Sequence, residues 1–123
     1  MKQTVERVAY PFTFIFKRED GEWSALACEV DVASCGSSVD EARDGLKEAV
    51  ELYLAYMIEN GLRDQVERRV PSADLAEFCQ GEHQVEHYAL IVDIIQRPAI
   101  HPSAMEFVHY GLNPIDCRYA LAL

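Results

Sequence analysis

A chain of 123 residues is the size of one domain, and its 50% apolar and 26% charged residues are typical of a globular protein rather than a disordered one. The 21 acidic residues outnumber the 11 basic ones and give a net charge of −10. Because this charge repels phosphate backbones, we expect no autonomous binding of nucleic acid.

Cysteine usage and hydropathy favour a cytoplasmic protein without a membrane anchor. No apolar run reaches the roughly 18 residues of a membrane span, and residues 1–10 are too polar for a signal peptide. None of the four cysteines belongs to a C-x-x-C pair, so we expect small buried thiols in a reducing compartment. They are Cys28, Cys35, Cys79 and Cys117.

Three strands are predicted at the start of the chain. Residues 10–17 alternate aromatic and other side chains with the period of two that is typical of a strand. Residues 19–22 read Glu-Asp-Gly-Glu and predict a tight turn into a second strand over residues 23–30. A short third strand is predicted over residues 32–35, before Gly36.

A long amphipathic helix is predicted next. Ser38 and Glu41 fit a capping box, in which the serine hydroxyl caps the third amide and the glutamate binds the serine amide. Asn60-Gly61 predicts the end of the helix, and Gly45 inside it indicates close backbone packing. One apolar stripe is predicted to face the core, formed by Val39, Ala42, Leu46, Ala49, Val50, Tyr53, Leu54 and Met57.

The second half of the chain carries weaker patterns. A short helix capped by Ser72 is predicted over residues 72–79, and a buried strand over residues 88–95. Another short helix, capped by Ser103, is predicted over residues 103–110. Residues 119–123 are apolar and predict a last strand or a buried end.

These elements predict an α+β fold of the order β-β-β-α-(α)-β. Three antiparallel strands would form a sheet with the long helix on one face, and the fourth strand would follow a right-handed crossover. Residues 1–95 would form the domain, and residues 96–123 a tail packed on it. Because residues 88–95 are too apolar for an open edge, we expect a homodimer or larger assembly.

Seven short motifs follow one another along the chain: Phe12-Thr13-Phe14-Ile15-Phe16, Glu19-Asp20-Gly21-Glu22-Trp23, Cys35-Gly36-Ser37-Ser38, Glu41-Ala42, Lys47-Glu48-Ala49-Val50-Glu51-Leu52, Val70-Pro71-Ser72 and Leu90-Ile91-Val92-Asp93. Their order and spacing resemble the HicB-like antitoxin family over about residues 10–95. This resemblance implies a partial ribonuclease-H-like fold. It also implies that the domain binds a toxin protein, while residues 96–123 show neither the basic strand nor the second pair of capped helices of a DNA-binding domain.

The function expected from this resemblance is that of an antitoxin, which would neutralise a small basic ribonuclease toxin by covering its RNA-binding face. Acidic side chains on the helix and on the hairpin turn are the candidate partner-binding residues, although a solvated face would have the same composition. An alternative is a homo-oligomeric protein of the same fold with a regulatory or small-ligand role. The candidate residues are Glu19, Asp20, Glu22, Asp40, Asp44, Glu48 and Glu51.

Catalysis is not expected, and neither is a cofactor. Asp93 and Glu48 are the only carboxylates at positions that suit ribonuclease-H-type chemistry, which needs several carboxylates around metal ions. Residues 83–87 spell H-x-x-E-H, so a third alternative is a metal-dependent hydrolase. The side chains that could contribute to a metal site are those of His83, Glu86, His87 and Cys79, but the motif leads into a predicted strand rather than a helix.

Overall fold

The computed structural model describes residues 5–95 and 101–110, which form an α+β fold built on one antiparallel sheet. The sheet has five strands in the order β3-β2-β1-β4-β5, where the prediction had three strands and a fourth. A short 3-10 turn covers Arg63–Gln65. The elements are β1 (Val5–Glu19), β2 (Glu22–Ala27), β3 (Val32–Gly36), α1 (Val39–Glu59), α2 (Ser72–Phe78), β4 (His83–Ile95) and β5 (His101–Tyr110).

The hairpin between β1 and β2 forms as its turn residues predict. Glu19 pairs with Glu22, so only two residues make the turn. Asp20 and Gly21 both have positive φ, at 51° and 82°. Positive φ at both central positions gives the turn whose twist matches a hairpin, and an Asp-Gly pair adopts it readily. The turn therefore sets the register of the first two strands.

One face of the sheet and α1 enclose the core. The side chains of Phe12, Phe14 and Phe16 alternate along β1 and point towards the helix, where they are buried. The predicted stripe of the helix faces them. Its buried members are Ala42, Leu46, Val50, Leu54 and Met57, joined by Ile58. None of the described helices is long and apolar enough to cross a membrane.

The direction of β4 differs from the prediction. His83 pairs with Lys17 and Ile95 pairs with Val5, so β4 runs antiparallel to β1, and the connection through α1 is not a parallel crossover. Residues 60–82 carry the chain back across the sheet before β4 begins. Along this path the amide of Arg68 donates to the carbonyl oxygen of Glu29 at 2.8 Å.

Residues 103–110 do not form the predicted helix, because they belong to strand β5. In β5, Phe107 pairs with Leu90 and Met105 with Val92, so β4 lies inside the sheet rather than at its edge. The argument for a homodimer from an open β4 edge is therefore wrong. Part of the predicted tail is a strand of the sheet, whereas residues 119–123 lie outside the described residues.

The start of α2 also differs in detail. Ser72 is the first helical residue, Pro71 takes the capping position, and no side chain caps the helix. Proline suits this place because its missing amide hydrogen would have no helical partner. Unlike α1, α2 buries none of its residues fully.

Candidate functional site

The start of α1 is fixed by a serine cap and a close glycine. The amide of Glu41 donates to Ser38 Oγ at 3.1 Å, which confirms the predicted cap. The Glu41 carboxylate, however, accepts a hydrogen bond from the Ser37 hydroxyl at 2.8 Å, where the capping box predicts the Ser38 amide. A Cβ at Gly36 would lie 2.8 Å from the backbone nitrogen of Ala42, so only glycine fits under the first turn.

Close packing explains the glycine inside the helix. A Cβ on Gly45 would lie 2.8 Å from Ser34 Oγ on β3. That hydroxyl donates to the carbonyl oxygen of Ala42 at 2.8 Å and so ties the strand to the helix. Gly45 therefore allows α1 to approach β3, as its position in the sequence indicates.

The end of α1 has the hydrogen bonds of a Schellman motif. The amide of Leu62 donates to Met57 O at 2.8 Å, and the amide of Gly61 donates to Ile58 O at 3.2 Å. Gly61 has φ of +70°, which favours glycine. The predicted stop at Asn60-Gly61 is confirmed, and both ends of the helix are defined by its own sequence.

Two basic side chains of α1 turn towards the sheet rather than to solvent. Arg43 donates from Nε and Nη2 to the two carboxylate oxygens of Glu86, at 2.7 and 2.6 Å. Lys47 Nζ lies 4.8 Å from the ring centroid of Tyr88 and 5.7 Å from that of Phe107. Cations are attracted to ring faces at such distances. Arg43 and Lys47, the two cations in the first half of α1, therefore bind groups on the sheet.

Glu86 is the centre of this inward network. Tyr88 Oη donates to Glu86 Oε1 at 2.6 Å, beside the two bonds from Arg43. Burial by itself would raise the pKa of Glu86, but the hydrogen bonds from Arg43 and Tyr88 outweigh it and leave the pKa lowered. A charged Glu86 thus holds the guanidinium of Arg43 towards the sheet, where its third nitrogen still reaches Asp40 at the start of the helix.

Carboxylates remain on the outer face of α1. Asp44 and Glu48 are exposed, and neither forms an ion pair with any described residue. Asp40 is exposed and forms an ion pair with Arg43. Glu51 is partly buried, and burial together with the nearby charge of Glu48 raises its pKa. Of the four predicted helix residues, Asp44 and Glu48 are thus the most available to a partner.

Two large apolar side chains continue this outer stripe and were missed in the sequence. Leu52 is 65% exposed and Tyr56 is 60% exposed. They follow Asp40, Asp44 and Glu48 at successive intervals of four residues, which places each side chain beside the next and turns the row by about 40° per step around the helix. The same spacing could have revealed the stripe, which we call the outer stripe: Asp40, Asp44, Glu48, Leu52 and Tyr56.

The acidic hairpin turn lies at the same end of the sheet as the start of α1. Trp23, the residue after Glu22, pairs with Gly36 at the end of β3, two residues before the helix cap. Glu19, Asp20 and Glu22 are exposed, and Glu19 forms an ion pair with Lys17 at 2.8 Å. The structure thus brings the turn and the first part of the outer stripe to one end of the molecule.

The H-x-x-E-H residues do not converge on a metal site. They lie on β4, where His83 and His87 share one face and Glu86 points to the other, towards Arg43. Two strand positions four residues apart are separated by about 13 Å. Within residues 5–95 and 101–110, no group of three His, Cys, Asp or Glu side chains could hold a metal ion, and Cys79 joins none.

The two carboxylates considered for nuclease chemistry are also separated. Asp93 binds Arg7 through both carboxylate oxygens, at 2.8 and 3.2 Å, on the sheet face opposite α1. The hydrogen bond and the charge of Arg7 lower the pKa of Asp93. Glu48 lies on the outer face of α1, with the sheet between the two residues.

Comparison with known proteins adds no relative to this picture. The chain matches no protein family, no curated protein and no solved structure. The resemblance to HicB-like antitoxins therefore stays a prediction from the motifs in the sequence.

Proposed function

We propose that this chain is a binding protein that docks a small basic protein on the outer stripe of α1. The observation that carries the proposal is the division of charge across the helix. Arg43 and Lys47 bind groups of the sheet, so the first half of the outer stripe presents carboxylates whose charge the helix does not neutralise locally. Asp40, which contacts Arg43, is the exception.

The second half of the outer stripe supplies the apolar contact that a stable complex needs. Exposed, large apolar side chains that lie together mark interaction surfaces, and tyrosine is enriched among residues that dominate binding energy. Leu52 and Tyr56 fit this description. The carboxylates would steer the partner and set its orientation, whereas burial of Leu52 and Tyr56 would slow its release.

The resemblance to HicB-like antitoxins makes a small basic ribonuclease toxin the expected partner. Neutralisation would then be occlusion, in which the outer stripe covers the basic surface that the toxin uses for RNA. This mechanism asks for no catalytic group in the chain. It needs only complementary charge, which the net charge of −10 and the outer stripe provide.

Co-expression with the small basic protein encoded beside this chain tests the proposal. If that protein arrests growth, the wild-type chain should restore growth, and Asp44→Lys/Glu48→Lys should fail to do so. Glu77→Lys/Glu82→Lys is the matched control, because it makes the same change of charge at exposed positions away from α1. Equal rescue by both double variants, or the absence of any small basic neighbour, would refute the antitoxin proposal.

A further inference from the structure

The edge of β1 that faces away from β4 is paired along only part of its length. β2 pairs with residues 14–19 of β1, and it ends at Ala27, beside Phe14. Along residues 5–12 of β1, no described strand pairs with this edge. A cavity of about 320 Å³ opens beside it, between β1 and residues 63–69. We call this stretch of β1 the open edge.

The backbone groups of the open edge can be assigned from the strand pairing. Thr13 directs its carbonyl oxygen towards β2, where it accepts from the amide of Cys28 at 3.0 Å. Because strand residues alternate, Pro11, Ala9 and Arg7 direct their backbone groups to the same side. Proline has no amide hydrogen to donate, and an edge is where a sheet accepts it. Ala9 is therefore the first residue beyond Thr13 that offers both an amide and a carbonyl.

A buried carboxylate stands where β2 leaves this edge. Glu29 is only 6% exposed. Its two oxygens accept hydrogen bonds from the amide and the hydroxyl of Thr13, at 2.7 and 2.8 Å. Both donors are neutral. Arg69, which also lines the cavity, forms its ion pair with Glu67, and its charge acts on Glu29 only from a longer distance. No described cation forms an ion pair with Glu29.

The Glu29 carboxylate has hydrogen-bond donors but no described cation in direct contact. A buried charge is costly unless an opposite charge accompanies it, and burial accordingly raises the pKa of Glu29. Each carboxylate oxygen can accept a further hydrogen bond. A cation entering the cavity would supply the direct contact that Arg69 does not make. Arg63, which also lines the cavity, binds Glu6 near the other end of the open edge at 2.9 and 3.1 Å.

We infer that the open edge binds an extended peptide as an added strand, with a lysine or arginine side chain placed against Glu29. The cavity is lined by residues 8–12 of β1, a stretch that spans about 16 Å and matches five residues of extended chain. Backbone hydrogen bonds to Ala9 would hold the peptide, and Glu29 would select its charge. This site is separate from the outer stripe and does not depend on the proposed function.

Titration of the isotope-labelled full chain with short peptides, followed by NMR, tests this site. The probe is acetyl-Val-Lys-Val-Lys-Val-amide, and its partner probe carries glutamate at both lysine positions. We expect the lysine peptide to shift the amide resonances of Arg7 and Ala9, and the glutamate peptide to bind at least about tenfold more weakly. A lysine peptide N-methylated on alternate residues should lose binding, because strand addition needs its amides.

Two variants of the open edge and one control variant on α1 separate strand addition from general attraction to an acidic protein. Glu29→Gln removes the charge, while its amide oxygen can still accept from the Thr13 amide and its amide nitrogen can donate to the Thr13 hydroxyl. This variant should weaken binding of the lysine peptide about tenfold. Ala9→Pro removes the amide donor of the open edge that lies nearest to Glu29, without touching the β4 ladder, and it should weaken binding and reduce the shift at Arg7. Asp44→Lys/Glu48→Lys should leave binding unchanged. Equal binding of both peptides, no effect of Glu29→Gln, or shifts confined to α1 would overturn the inference.

Discussion

α1 packs so closely on β3 at Gly45 that a methyl group there would clash with Ser34. In Gly45→Ala the new Cβ would displace Ser34 Oγ and break its bond to Ala42, which costs about 1 kcal/mol. Alanine also favours the helix by about 1 kcal/mol, so the net change should be small. In a Ser34→Ala background the clash is absent, and Gly45→Ala should stabilise the protein by up to about 1 kcal/mol.

Denaturant melts of the two single variants, the double variant and the wild type measure this coupling. The coupling energy should be about 1 kcal/mol, because Gly45→Ala breaks the hydrogen bond from Ser34 to Ala42 in the wild-type background, whereas the Ser34→Ala background has no such bond to lose. Identical effects of Gly45→Ala in both backgrounds would show that Ser34 does not limit the approach of the helix.

The raised pKa of Glu29 predicts how the stability of the protein depends on pH. Burial raises the pKa of Glu29 in the folded protein and outweighs the hydrogen bonds from Thr13, which lower it. In the unfolded chain the pKa has its ordinary value. The folded state therefore takes up a proton first as pH falls. The free energy of unfolding should rise as pH falls through the raised pKa, and level off below the ordinary one.

Other carboxylates act in the opposite direction, because the pKa values of Glu86 and Asp93 are lowered. Glu29→Gln isolates the contribution of Glu29. In melts from about pH 7 to about pH 4, wild type should gain stability relative to this variant. A relative loss on acidification would mean that the Glu29 carboxylate is stabilised as an anion in the fold.

At the scale of the element, α1 carries a graded prediction for three single substitutions. Leu46 is fully buried, so Leu46→Ala should cost about 2–5 kcal/mol. Ser38→Ala removes the cap and should cost about 1 kcal/mol. Glu48→Ala lies on the exposed face and should change stability by less than about 0.5 kcal/mol. Urea melts giving any other order would show that the helix is held differently.

The elements that could be predicted from the sequence are those with strong local signals. Asp20-Gly21 predicts its turn, and Ser38 and Asn60-Gly61 predict the two ends of α1. Strand β5 could not be predicted in this way, because Ser103 imitates a helix cap. The strand forms because it pairs with β4. In that pairing Met105 lies beside Val92 and Phe107 beside Leu90, so both side chains pack against the core under α1.

At the scale of the whole molecule, the direction of β4 depends on a contact between distant segments. Residues 60–82 are long enough to reach either end of the sheet, and the hydrogen bond from Arg68 to Glu29 belongs to the path that is taken. The candidate surface was predictable in part. Asp44 and Glu48 follow from helical spacing, but the inward turn of Arg43 and Lys47 depends on Glu86 and on rings from other strands.

The charge of the outer stripe predicts how the complex should respond to salt. Association of the wild-type chain with its basic partner should slow as salt rises from about 0.05 M to about 0.5 M, because salt screens exposed charges. Asp44→Asn/Glu48→Gln should associate more slowly and show a weaker dependence on salt. Leu52→Ala should instead speed dissociation. Stopped-flow or biosensor kinetics separate these rates, and a salt-independent association rate would contradict electrostatic steering.

The most direct measurement of the central claim is the interface itself, mapped on the isotope-labelled chain by NMR as the small basic protein encoded beside it is added. The account predicts that the largest changes fall on the outer stripe, at Asp44, Glu48, Leu52 and Tyr56, and that Glu77 on α2 stays unchanged. Changes confined to the open edge or to the sheet face opposite α1, or no binding at all, would contradict it.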